Sequence, residues 1–170
     1  VIPQGFNFTE TKKAKYSKNK ILTFAYAGVF YEKIRNPKIF FENLTTLDVD
    51  FKFIIYSNLG TLFTKQIIAK YKNILQNKLE IRQSINRTEL IYELSKLDFL
   101  INQNNISKSQ TPSKLIDYTL TGRPIYSYTQ KNVKVSEFKL FLEGDYTNET
   151  KIDIKKYDIN NVVKIFENLF

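Results

Sequence analysis

Phe99-Leu100-Ile101-Asn102, then Thr111-Pro112-Ser113-Lys114-Leu115-Ile116-Asp117-Tyr118, then Pro124-Ile125-Tyr126-Ser127-Tyr128 decide how this chain reads. The first and last are short apolar runs, the pattern of buried strands. Between them Thr111-Pro112 starts a helix, with proline at the first helical position, where its missing N–H is no loss. Gly122 ends that helix. A strand, one helix and a second strand form a right-handed βαβ crossover, the unit of a parallel sheet.

The same alternation extends outward from this unit. Ile21–Val29 reads as a buried strand ending at Gly28. Asn36-Pro37 signals a helix, with Asn36 as N-cap and Pro37 as first residue, followed by Ile39, Phe40, Leu44 and Leu47 at helical spacing. Phe51–Tyr56 is the next strand, and Ile54-Ile55 at its centre implies burial on both faces. Leu62–Leu75 is a helix whose apolar side is Phe63, Ile67, Ala69, Tyr71 and Ile74. Leu79–Ile85 is a third strand. Asn86-Arg87-Thr88-Glu89 resembles a capping box and opens a helix through Leu97. The fourth strand, Phe99–Asn102, runs into a polar loop from Gln103 to Gln110, and Asn161–Phe170 closes the chain as an amphipathic helix. The expected fold class is α/β: a doubly wound, mostly parallel sheet flanked by helices. Residues 21–170 form the domain, and residues 1–20 are an interdomain linker or basic lead-in.

Composition narrows the chemistry. The 170 residues hold no Cys and no His, which removes disulfides, thiolate metal sites, imidazole bases and Ser-His-Asp triads. Acid–base work must fall to carboxylates, Lys or Tyr, or to another chain. With no Met either, Val1-Ile2-Pro3 reads as a cut through a longer protein. No apolar run approaches the length of a membrane span, no signal-peptide pattern opens the chain, and the expected compartment is the cytoplasm. The formal charge of +9 rests mainly on lysine, with one dense cluster at Lys12, Lys13, Lys15, Lys18 and Lys20. That cluster suits a solvated linker, and it is compatible with an anionic membrane surface at the inner face. No nucleic-acid-binding signature accompanies it, so nucleic acid is not an expected partner.

In an open parallel sheet, ligands bind at the carboxyl ends of the strands near the switch point. Two loops place chemistry there. Gly28 permits close backbone approach after the first strand, and Lys33 and Arg35 follow it within reach of an anion. The second loop opens the helix at Pro112, where the free N–H groups of Ser113 and Lys114, the helix dipole, the Ser113 hydroxyl and the Lys114 ammonium converge. Asp117, three and four residues on, shares their face, and a phosphate at the helix start would set an attached ribose beside its carboxylate. Leu115, Ile116 and Leu120 supply the core face. The plainer reading of the same residues is a capped helix with a Lys114–Asp117 ion pair.

Three stretches together carry a resemblance. Val1-Ile2-Pro3-Gln4-Gly5-Phe6-Asn7, then Phe24-Ala25-Tyr26-Ala27-Gly28-Val29-Phe30-Tyr31 with Arg35-Asn36-Pro37, and then residues 97–102 with 111–118 and Gly122-Arg123-Pro124-Ile125 form the third. In that order the chain resembles the C-terminal, donor-binding half of GT-B glycosyltransferases of the retaining family-4 type. The resemblance implies a nucleotide-diphosphate sugar as substrate, with its diphosphate at Gly28, Ser113 and Lys114 and its ribose at Asp117. Arg35, with Lys33, would stabilise the departing diphosphate with no metal cofactor. Asn104, Asn105 and Thr111 would face the sugar. Two glutamates eight positions apart are common in the family; here Ser109 and Asp117 stand there. The acceptor, lipid-linked or otherwise, would be held by an N-terminal domain of the same protein, so this half would not turn over alone. A receiver-like binding module, a nucleotide-sugar epimerase and a degenerate glycosyltransferase kept as a scaffold remain the rival readings.

Overall fold

A computed structural model describes residues 4–8, 11–104 and 113–168. Five strands make one parallel sheet: β1 (Leu22–Ala27), β2 (Phe51–Tyr56), β3 (Leu79–Arg82), β4 (Phe99–Asn104) and β5 (Ile125–Thr129). Their order is β3-β2-β1-β4-β5, so the winding reverses between β1 and β4. The connections are α1 (Lys38–Thr45), α2 (Leu62–Leu75), α3 (Arg87–Leu94) and α4 (Ser113–Thr121); α5 (Val135–Glu143) and α6 (Ile159–Glu167) follow β5. This is a doubly wound, Rossmann-like α/β fold.

The alternation of β1 explains the two layers. Phe24 and Tyr26 point to the face covered by α1, α2 and α5, in a core that also holds Phe40, Phe41, Phe53, Tyr71, Phe99, Phe138 and Phe141. Phe24 stacks on Phe53 at 5.1 Å and on Phe99 at 4.7 Å, which ties β1 to both neighbours. Such aromatic pairs add to burial itself. Ala25 and Ala27 point to the other face, where their small size lets α4 come close. Tyr118 of α4 fills that space, and its hydroxyl accepts from the Ala27 N–H at 2.7 Å.

Several element ends differ from the sequence reading. β1 and β3 stop earlier than expected, because their last residues turn into ligand-side loops, while β4 extends two residues further, pairing Gln103 and Asn104 with Tyr128 and Thr129. Pro37 is the N-cap of α1 and Lys38 its first residue; the Asn36 side chain still accepts from the Lys38 N–H at 3.0 Å. On α2 the buried side is Thr64, Ile67, Ile68, Tyr71 and Leu75, whereas Ile74 is 52% exposed and Ala69 is exposed. Thr64 is inside because its hydroxyl bonds both to the N–H and to the carbonyl of Phe30. The α5 helix was not expected: its N-cap, Lys134, makes no side-chain cap bond and its C-cap, Gly144, lies in the left-handed region, yet it buries Phe138 and Phe141. α6 starts two residues earlier than expected because Asp158 caps it, accepting from the Asn160 N–H at 2.9 Å.

The described part of the lead-in lies against the domain. Phe6 exchanges backbone bonds with Tyr157 and Ile159, and the Ala14 N–H donates to the Ser95 hydroxyl. Tyr16 donates to Asp98 at 2.7 Å while Arg123 sits 3.5 Å over its ring. Lys12, Lys13, Lys15, Lys18 and Lys20 are all exposed along this path. No helix among the described residues is long and apolar enough to cross a membrane.

Candidate functional site

The switch point between β1 and β4 opens into a cavity of about 320 Å³. Its walls come from the end of β1 (Ala27, Gly28, Val29), the end of β2 (Tyr56, Ser57, Asn58), the turn after β3 (Ser84, Ile85) and the first turns of α4 (Ser113, Lys114, Asp117, Tyr118), with Leu90 from α3. Apolar walls with a few convergent polar groups are what small-molecule sites usually offer.

Lys114 is the unusual residue. Its Nζ is fully buried with no hydrogen-bond partner among the described residues, and it lies 3.8 Å over the Tyr26 ring. Burial, reinforced by the neighbouring Arg35 charge, holds its ammonium well below the usual lysine range. The ion pair with Asp117 that the sequence allowed does not form: Asp117 pairs with Arg87 at 2.7 Å. Lys114 therefore stands in the cavity wall with no counter-ion among the described residues, and the ring face is a partial substitute.

Gly28 is required for this arrangement. Its φ of +132° lies where side chains are strained, and a Cβ built there would stand 3.1 Å from the Lys114 Nζ. A Cβ there would crowd the ammonium, which would have to give way by a few tenths of an ångström. The Gly28 N–H is itself taken by the Tyr56 carbonyl at 2.8 Å, so the loop departs from β1 in a fixed direction.

Arg35 is held beside this centre by its own loop. Tyr31 and Arg35 exchange two backbone bonds, and the guanidinium lies 5.1 Å over the Tyr31 ring with its Nε buried and without a partner among the described residues. Gln130 clamps the loop by accepting from the Asn36 N–H and donating to the Lys33 carbonyl; Gln103 donates to the Asn36 carbonyl. Burial pushes the Tyr26 hydroxyl up to about 12, and the Arg35 charge acts against that rise. Two cations thus share one end of the sheet, with no carboxylate bonded to either among the described residues.

Of the residues singled out in sequence, Gly28, Ser113, Lys114 and Asp117 line one cavity, and Arg35 adds its charge beside it. Lys33 is exposed and does not line it. Asn104 ends β4 outside the cavity wall, its side-chain carbonyl accepting from Asn102 at 2.8 Å. Asn105, Ser109, Thr111 and the expected helix start at Pro112 lie outside the described residues. Arg87 and the Tyr26 ring were missed as site groups. Tyr26 was visible only as a strand residue, and Arg87 only as part of a cap.

No family model matches the chain, and no curated protein matches it in sequence. Among solved structures it is similar to TarM, with a TM-score of 0.64 and 14% identity over 95% of this chain and 37% of that one. It is also similar to the lipopolysaccharide outer core galactosyltransferase WaaB in its apo form, with a TM-score of 0.67 and 15% identity over 99% of this chain and 54% of that one. The fold is thus the Rossmann-like one of GT-B glycosyltransferases. The chain spans about half or less of the length of the structures it matches.

Proposed function

We propose that this chain is the donor-binding half of a glycosyltransferase, holding a nucleotide-diphosphate sugar for an acceptor bound by another domain of the same protein. The observation that carries this reading is the buried, unpartnered Lys114 ammonium over Tyr26, with Arg35 beside it at the switch point. A buried cation without a counter-ion is costly unless a ligand supplies the anion. A diphosphate at the first turn of α4 would satisfy Lys114, meet the positive helix end and lie alongside the Arg35 guanidinium.

The chemistry follows from that placement. Glycosyl transfer breaks the bond between the anomeric carbon and the β-phosphate oxygen, and negative charge gathers on the departing diphosphate. Fixed cations in a site screened from water stabilise that charge more strongly than solvent would. Lys114 and Arg35 supply two such charges, so the reading needs no metal ion at this step. The ribose would lie one helical turn on at Asp117, and the base among Ser57, Asn58, Ser84, Ile85 and Leu90. The acceptor chemistry belongs to the partner domain, and the exposed lead-in lysines are compatible with an acceptor presented at an anionic membrane.

Calorimetric titration of the chain with UDP, GDP, ADP and inorganic pyrophosphate tests the reading. One nucleoside diphosphate is expected to bind more tightly than pyrophosphate, and pyrophosphate itself is expected to bind measurably. Absence of heat with all four would overturn the donor assignment for this half.

A further inference from the structure

Among the described residues that line the cavity, Asp117 is the one carboxylate, and its two oxygens are not equivalent. Oδ1 accepts from the Arg87 Nε at 2.7 Å, whereas Oδ2 accepts from no described residue. The partners come from adjacent helices. Arg87 is the first residue of α3, set there by the Asn86 cap, which accepts from the Glu89 N–H at 2.9 Å. Asp117 stands one turn into α4, and the helices are locked together below it through Ile91, Ile116 and Leu120. The Asp117 side chain is 23% exposed and the Arg87 side chain 40%, so the carboxylate is the more buried member of the pair.

Two effects compete at Asp117. Burial raises its carboxyl above the usual carboxylate range, and the Arg87 bond and charge pull it back. A ribose presents two neighbouring hydroxyls as donors, which an ionised carboxylate accepts and a protonated one serves poorly. Aspartate is also a short side chain with free rotation, so an acceptor aimed into the cavity needs its orientation fixed.

We infer that Arg87 is a positioning residue: by holding Oδ1 it aims Oδ2 into the cavity to accept the ribose hydroxyls, and so makes this site select ribonucleotides over deoxyribonucleotides. This rests on the donor reading above. Because the pair is partly exposed, it contributes little to the stability of the fold, and its loss acts on the ligand instead.

The test compares UDP, GDP and ADP with their 2′-deoxy counterparts and with pyrophosphate, on the wild-type chain and on Arg87→Ala. The wild type is expected to prefer the ribose form by about tenfold, the scale of one well-made charge-assisted hydrogen bond. In Arg87→Ala the ribose form should weaken by about tenfold, while the deoxy form and pyrophosphate stay within about twofold. A second readout separates positioning from simple loss of charge. Without Arg87, the ribose preference should be lost at a higher pH than in the wild type as pH is lowered, because burial then raises the Asp117 carboxyl without the opposing Arg87 bond and charge. Arg87→Lys should restore part of the preference.

An unchanged ribose-to-deoxy ratio in Arg87→Ala overturns the inference and leaves the donor reading intact. Equal weakening of pyrophosphate also overturns it, since Arg87 would then act only through the general field. Failure of the wild type to bind pyrophosphate or any nucleoside diphosphate overturns the donor reading and the inference with it.

Discussion

Lys114→Met should make the free protein more stable and at the same time abolish diphosphate binding. Methionine matches the length of the lysine stem and keeps its contacts with Tyr26, but it removes an ammonium that has no partner among the described residues. Relieving an uncompensated buried charge should raise unfolding stability by about 1–3 kcal/mol, while binding should fall at least about a hundredfold, the scale expected for a lost buried charge contact. Most substitutions at binding sites that are not strained leave stability flat or lower it, so opposite movement of the two quantities is a specific signature. Urea denaturation with and without pyrophosphate measures both.

The same residue sets a pH dependence whose sign can be worked out. Lys114 holds its proton less tightly in the folded protein than in the unfolded chain. Below the folded value both states carry the proton and the destabilisation is complete. As pH rises from there toward the ordinary lysine value of about 10.4, the unfolded state binds more protons than the folded one, and stability increases. Wild-type stability should therefore climb relative to Lys114→Met over that window, and the two should converge toward its top. An anion in the site favours the charged form, so binding should take up a proton within the same window.

Asp98→Ala should be the most damaging single change to the fold. Asp98 is 1% exposed and accepts from the Thr23 N–H at 2.7 Å, the Tyr16 hydroxyl at 2.7 Å and the Asn19 N–H at 3.3 Å. It joins the start of β1, the start of β4 and the lead-in at one point, beside the half-buried Arg123, whose guanidinium donates to the Asp98 carbonyl at 3.2 Å. Truncation strands two backbone N–H groups and a phenol, at about 3–5 kcal/mol in total. Denaturant unfolding should show that loss, and limited proteolysis should cut first between residues 11 and 20. Asp98→Asn keeps one acceptor oxygen and should cost about 1–2 kcal/mol.

Much of this architecture was legible because the signals were local. Short apolar runs such as Phe51–Tyr56 and Phe99–Asn102 have the length and flanks of buried strands, and single helices between them point to parallel crossovers. Gly28 and the Ser113-Lys114-Asp117 spacing were readable for the same reason: each follows from a turn or from helical periodicity. α5 was not legible, because its start has no capping side chain and its burial depends on Phe138 and Phe141 meeting Phe24 and Phe99 across the sheet. The partner of Asp117 was hidden in a different way. A residue three positions away was available within the helix, but Lys114 reaches across to β1, and Arg87, thirty residues earlier in sequence, takes the carboxylate. That choice is made by helix packing, which periodicity alone does not encode.

Whether the unbalanced cations at the switch point form a diphosphate site is decided by an amide-resolved NMR titration of this chain with pyrophosphate and then UDP, GDP and ADP. Shifts are expected to centre on Gly28, Arg35 and residues 113–118, to be absent in Lys114→Met, and to extend to Ser84 and Ile85 only when a base is attached. Shifts confined to the lysines of residues 12–20, or a response that survives unchanged in Lys114→Met, would contradict a diphosphate site there.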